Sequence, residues 1–328
     1  MIKIIKNNIK FILIYIIIFI LLIIEFPYYI EAPGGIININ NRINIENSYN
    51  SSGSLNLSYI SEHKATLITL FISLFNKDYK ILKKEEVIPD DINLKDYEYR
   101  DRLMLYESYS NATYIGYIKA NKEVIINSEK IYVNTILDGS DTSLEVDDQI
   151  FEVNNNKIFS KEDIDNIVST YNIGDTIDIK IMKNNQEEIR KAKLIEFENR
   201  PILGIVVSKI KEMDTKPKID IKYASKESGP SGGLMLSLAI YNNLVKEDIT
   251  KGRIIVGTGT IDEFGNVGSI GGVEYKLKTA VKNKADIFLV PNGENYEEAI
   301  KLQNAKKYKI KIKGVSTFDE ALDYLLST

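Results

Sequence analysis

The chain has 328 residues, 44% of them hydrophobic and 27% charged, with a net charge of −4 and a pI near 5.4. That is the balance of an ordinary globular protein, long enough for about two domains. With no basic block beyond its N-terminal segment, it argues against a nucleic-acid partner. There is no cysteine and a single histidine, His63, so disulfides, cysteine nucleophiles and Cys- or His-rich metal sites are excluded. No cofactor is expected.

Phe11 to Ile24 is uninterrupted apolar sequence, Glu25 breaks it, and Phe26 to Ile30 extends it. The 20 residues from Phe11 to Ile30 would span about 30 Å as a helix, the thickness of a bilayer core. Lys3, Lys6 and Lys10 precede the run and favour a cytoplasmic tail, while Tyr28 and Tyr29 suit the far interface. Glu31-Ala32-Pro33-Gly34 is a poor cleavage site. The expectation over residues 1–30 is therefore an uncleaved transmembrane helix, single-pass in the cell membrane, with everything after it extracytoplasmic. A cleaved signal peptide and a buried helix are the alternatives.

Residues 31–118 read as a strand and helix region. Ala32-Pro33-Gly34-Gly35 starts it, Ile36 to Glu46 alternates as a half-buried strand does, and Leu55 to Ile60 makes a hairpin with it. Ala65 to Phe75 is apolar, and periodicity does not decide between strand and helix. Tyr97 to Ile118 has helical spacing. From residue 119 to 198 short strands surround one helix, with Ser160 as N-cap and Asp163 three residues on, which describes a small β-rich module. Leu144-Glu145-Val146-Asp147-Asp148-Gln149-Ile150-Phe151-Glu152-Val153-Asn154-Asn155 resembles the PDZ pattern Leu-x-x-Gly-Asp-x-Ile-x-x-Val-Asn-Gly. Asp147 and Asn155 replace its two glycines, and both residue types serve in turns. Tyr114-Ile115-Gly116-Tyr117 is either the carboxylate-holding loop of such a domain or a helix ending at Gly116.

From Pro201 onward strands and helices alternate in an α/β pattern. Gly229-Pro230-Ser231-Gly232-Gly233 opens a helix running to about Leu244, and Gly271-Gly272-Val273-Glu274-Tyr275-Lys276 opens another. Between them, the buried strand Arg253 to Gly257 ends in Thr258-Gly259. A serine at a helix mouth has unpaired backbone N–H groups and the positive dipole end beside it, suited to an oxyanion. Without cysteine, and with His63 distant in sequence, a lysine is the base left to it. That lysine must be neutral, which burial favours; Lys276, beside Leu277 and Val281, suits this better than Lys278 or Lys282. Either motif alone reads equally as a helix cap or a surface lysine.

Taken together, these residues resemble the Lon protease family, whose nucleophile stands in Gly-Pro-Ser-Ala-Gly and whose lysine stands in Gly-Gly-x-x-x-Lys. The resemblance runs from about Ile202 to Asp323. It implies Ser231 as nucleophile, Lys276 as base and Thr258 as support for the lysine. Gly232 replaces the usual alanine, and Ser228 stands where an acidic residue is common. No Gly-x-x-x-x-Gly-Lys-Ser/Thr run exists, so ATP-driven unfolding is not expected. The order of segments is similar to that of bacterial membrane-anchored, PDZ-containing Lon-like proteases.

The expected class is α+β, with an N-terminal transmembrane helix, a PDZ-like module (119–198) and a Lon-type α/β proteolytic domain (199–328). Residues 31–118 are expected to supply strands to the proteolytic domain. The expected function is an ATP-independent serine endopeptidase acting on peptides or flexible protein segments. A catalytically inactive peptide-binding scaffold and a self-processing protein are the alternatives. Ser61-x-x-Lys64 lacks its partner motifs, and Asp147-Asp148 and Asp262-Glu263 read as solvated turn carboxylates.

Overall fold

The computed structural model describes residues 2–89, 92–224 and 227–328, with residues 2–7 and 18 described by their backbone alone. Helix α1 (Ile2–Ile23) ends just before strand β1 (Glu25–Asn38). A 3₁₀ turn and β2 (Ile43–Ile45) lead to β3 (Ser54–Thr66). Helix α2 (Leu67–Ser73), β4 (Lys80–Lys83), α3 (Lys84–Val87) and the long α4 (Leu94–Lys119) follow. Next come β5 (Glu123–Ile136), β6 (Asp141–Thr142), β7 (Gln149–Val153), β8 (Asn156–Lys157) and α5 (Lys161–Val168). Strands β9 (Thr176–Lys183), β10 (Gln186–Lys193), β11 (Ile195–Phe197), β12 (Arg200–Ile202), β13 (Ile205–Lys216) and β14 (Ile219–Ile221) continue the chain. The last part alternates α6 (Gly233–Leu244), β15 (Ile254–Gly257), α7 (Val273–Lys282), β16 (Ile287–Pro291), α8 (Glu294–Lys306), β17 (Lys311–Val315) and α9 (Phe318–Ser327).

The expected transmembrane helix is overturned. Among the described residues no helix is long and apolar enough to cross a membrane. The reason lies at Glu25, where the chain leaves the helix. Residues 25–30 enter β1 instead, and Tyr29 and Ile30 are buried there. Of the run from Phe11 to Ile30, only Phe11 to Ile23 is helical, about 20 Å against the roughly 30 Å of a bilayer core. The single-pass placement in the cell membrane, with an extracytoplasmic catalytic part, falls with it. Lys3 and Lys6, counted for orientation, have side chains outside the described residues.

Among the described residues, six strands form one sheet in the order β17-β16-β15-β3-β1-β4. β15, β16 and β17 are parallel, as the crossover helices α7 and α8 require. β3 joins β15 in parallel, while β1 pairs antiparallel with β3 and β4. Strands β1 and β3 are thus woven into a sheet with β15, β16 and β17, which lie near residue 255 and beyond. Asn56 reinforces the seam by donating from Nδ2 to Ile255 O at 3.0 Å. Ala32-Pro33-Gly34-Gly35 does not open a region but lies within β1, at a register shift beside Pro33. Gly34 is needed because a Cβ there would sit 2.5 Å from Tyr59 O.

The second sheet has the order β13-β5-β7-β9-β10-β6 and closes over Ile164 and Val168 of α5. Ser160 caps α5 reciprocally with Asp163. Asp147 and Asn155, which stand where the PDZ pattern has glycine, have φ of 74° and 63°; aspartate and asparagine tolerate this left-handed region best after glycine. Asp148 is not a solvated turn carboxylate. It is fully buried and pairs with Lys183 at 2.8 Å and Arg190 at 3.2 Å.

Helix α4 lies between the two sheets. One side packs on α6, where Gly116 allows close approach: a Cβ there would be 2.7 Å from Ile240 Cγ2. Another side covers β13, a sheet edge, where Ser110 Oγ accepts from Lys211 N at 2.9 Å. Residues 114–117 therefore form the body of a helix rather than a carboxylate-holding loop.

Candidate active site

The segment before α6 is held on three sides. Gly229, at φ 78°, donates its N–H to Asp101 O at 3.0 Å. Pro230 O accepts from Ser108 Oγ at 2.8 Å and from Gly233 N at 3.3 Å. Ser231 O accepts from Gly259 N at 2.8 Å and Thr258 Oγ1 at 3.1 Å. Helix α6 begins at Gly233 with Gly232 as its N-cap, so Ser231 stands just ahead of the first turn rather than within it. The glycines are explained by packing. A Cβ on Gly233 would meet Ser108 Oγ at 2.6 Å and Ile261 N at 2.9 Å. On Gly232 it would meet only the flexible tip of Leu57 at 2.9 Å, which leaves room for the alanine common at that position.

Lys276 projects from α7 and is 3% exposed. Its Nζ donates to Thr258 Oγ1 at 3.2 Å. Burial pulls its ammonium from 10.5 down to about 8, while the charge of Glu31 pushes the other way. The neighbouring Lys278 is instead ion-paired with Asp78 at 2.6 Å and Glu274 at 2.7 Å. Gly272, at φ 66°, admits the chain to α7 against Ile60 of β3. The structure therefore brings Ser231, Thr258 and Lys276 together: the threonine hydroxyl donates to the serine's carbonyl and accepts from the lysine. Among the described residues no hydrogen bond joins the Ser231 hydroxyl to Lys276 Nζ, and the Ser231 and Gly232 N–H groups have no acceptor.

Three neighbours of this group escape a reading of motifs. Glu31 in β1 lies two strands from β15, and α7 packs across β1 and β3. Burial raises its carboxyl, with Lys80 and Lys276 opposing. Burial also raises Glu62 and Asp101, and Glu31 adds to the effect on Glu62. Asn295 clamps the approach to α7, accepting from Ile270 N at 2.9 Å and donating to Ile270 O at 3.0 Å. Ser108 had one available signal: Ser108, Ser110, Asn111 and Thr113 crowd small polar residues into one helix, and all four are buried. Glu263, expected to be solvated, pairs with Lys209 at 2.5 Å and Lys211 at 2.9 Å.

Residues 207–328 match the family model of the Lon protease (S16) C-terminal proteolytic domain. This part of the chain is accordingly similar to the proteolytic domain of Lon serine proteases. Among curated relatives, it is 34% identical over 108 residues to the Lon protease of Campylobacter jejuni, covering 31% of this chain and 13% of that protein. It is 27% identical over 117 residues to Lon protease 2 of Borreliella burgdorferi, covering 35% and 14%. The matched relatives are thus spanned over only 13 to 17% of their own length. A solved PDZ domain of an SdrC-like protein from Listeria monocytogenes is similar over 26% of this chain and 92% of its own, with 23% identity and a TM-score of 0.23.

Proposed function

We propose that this chain is a serine endopeptidase that cuts peptides or flexible protein segments with a Ser231–Lys276 dyad and without ATP. The observation that carries the reading is Lys276, buried to 3% exposure with its Nζ on Thr258 and its pKa lowered to about 8 by that burial. Near neutral pH a useful fraction of such a lysine is uncharged. Thr258 commits its own proton to Ser231 O, so it can only accept from Lys276. The Nζ lone pair is then free for the Ser231 hydroxyl proton.

As Oγ attacks the scissile carbonyl carbon, the C=O electron pair moves to oxygen. The free N–H groups of Ser231 and Gly232, at the positive end of α6, receive that oxyanion. The Lys276 ammonium then protonates the leaving amine, the C–N bond breaks, and water releases the acyl group by the same route in reverse. No phosphate-cradling glycine loop stands in the sequence, which supports cleavage without nucleotide.

The test is hydrolysis of fluorescein-labelled casein by the full chain without nucleotide, beside Ser231→Ala and Lys276→Ala. Both variants are expected to lose about 10³-fold or more in kcat/KM. In the parent chain kcat/KM is expected to rise with pH through about 8 as Lys276 loses its proton. Equal hydrolysis by all three proteins would remove the dyad.

A further inference from the structure

Ser108 belongs to α4, outside the segment that matches the Lon-type model, yet it is the side chain that grips the nucleophile's own peptide unit. It is 2% exposed, and its Oγ donates to Pro230 O at 2.8 Å. Pro230 C=O and Ser231 N–H belong to one planar peptide; among the described residues the cis bond is at Lys216–Pro217, so this one is trans. In a trans peptide the C=O and N–H point in opposite directions. A hydroxyl that holds the carbonyl toward α4 therefore turns the Ser231 N–H away from α4, and on that side it meets no acceptor among the described residues. The next carbonyl is fixed too, by Gly259 N and Thr258 Oγ1. Gly233, whose missing side chain leaves room for the Ser108 hydroxyl, completes the fit.

We propose that Ser108 is a positioning residue, which fixes the Pro230–Ser231 peptide so that the Ser231 N–H stands ready to receive the oxyanion. The inference rests on Ser231 being the nucleophile. Without the Ser108 bond, Pro230 O keeps only the 3.3 Å contact with Gly233 N, and the peptide plane is freer to rotate. Loss of one oxyanion donor costs about 10²- to 10³-fold in kcat, so loosening one is expected to cost about tenfold.

The experiment compares Ser108→Ala, Ser110→Ala and Ser231→Ala in the full chain, reading casein hydrolysis, thermal midpoint and inhibition by a dipeptidyl boronate. The boronate's tetrahedral adduct places an oxygen at the oxyanion position. Ser108→Ala should lower kcat about tenfold with KM within about twofold, and weaken the boronate by the same factor. Ser110, on the same helix but bonded to Lys211, should leave kcat and boronate affinity as they are when changed to alanine. Wild-type kcat in Ser108→Ala, or lost kcat with unchanged boronate affinity, would overturn the proposal while Ser231→Ala remains inactive. An active Ser231→Ala would instead overturn the protease reading itself. Should Ser108→Ala not fold, Ser108→Cys decides, since its weaker S–H donor should give a partial, parallel loss in kcat and boronate affinity, and wild-type values would overturn the proposal.

Discussion

A lysine that is 3% exposed, with a hydroxyl as its hydrogen-bond partner and no ion pair among the described residues, is a cost to the fold. The shift from 10.5 to about 8 corresponds to about 3 kcal/mol. The direction follows from proton counts. Between pH 8 and 10.5 the unfolded chain holds a proton on Lys276 that the folded chain does not, so stability rises with pH across that window. Below about 8 both states are charged and the penalty is complete. Lys276→Met should therefore raise the thermal midpoint at pH 7, and its advantage over the parent should shrink as pH approaches 10.5. Parallel melting curves at pH 7 and 10 would check this, and equal advantages at both would contradict it. The same site shows where motif reading stops. Ser231, Thr258 and Lys276 each stand in a recognisable run of residues, and the structure places them in one chain of hydrogen bonds. Glu31 carries no such mark, because only the pairing of β1 with β3 brings it under α7.

At the scale of elements, α4 shows how one helix serves two neighbours. Its contact with α6 depends on Gly116, where an added methyl would press on Ile240 Cγ2 at 2.7 Å and approach Ser237 O at 3.1 Å. Gly116→Ala should destabilise by about 1–3 kcal/mol despite its better helix propensity. A urea midpoint shift measures this, and a gain in stability would show that the two helices can part without loss. Local signals were legible where side chains act on their own backbone. Ser160 caps the helix that its sequence announces. Gly116 left two readings open, a loop or a helix end, because its partner helix α6 is not visible in the local sequence. The N-terminal run misled for a related reason: apolar residues suit a buried strand as well as a spanning helix, and Glu25 marks the change only once β3 and β4 are in place.

For the whole molecule, a charged joint ties β13 of the second sheet to α4 and to the turn at Glu263. Lys211 has a side chain 2% exposed, bonded to Glu263 Oε2 at 2.9 Å and Asn111 Oδ1 at 3.1 Å, with Lys209 on the other Glu263 oxygen. Removing the carboxylate leaves a buried ammonium with only the more distant Glu129, at 3.7 Å, as a carboxylate partner, so Glu263→Ala should cost up to about 3 kcal/mol. It should also speed hydrogen exchange along β13, which mass spectrometry would localise; unchanged exchange there would show that Ser110 and Asn111 hold the strand alone. None of this joint is visible as a motif, because its members lie in three separate segments of the chain.

The parallel seam between β3 and β15 has a consequence for how the protein is made. Asn56 waits for Ile255, 199 residues downstream. At 5–20 residues per second, a ribosome takes about 10–40 s to supply it. Through that interval the inner edge of β3, with Leu55 and Leu57 on it, is a newborn strand without its neighbour. The first sheet therefore becomes complete only when the last of its strands, β15 to β17, have been delivered.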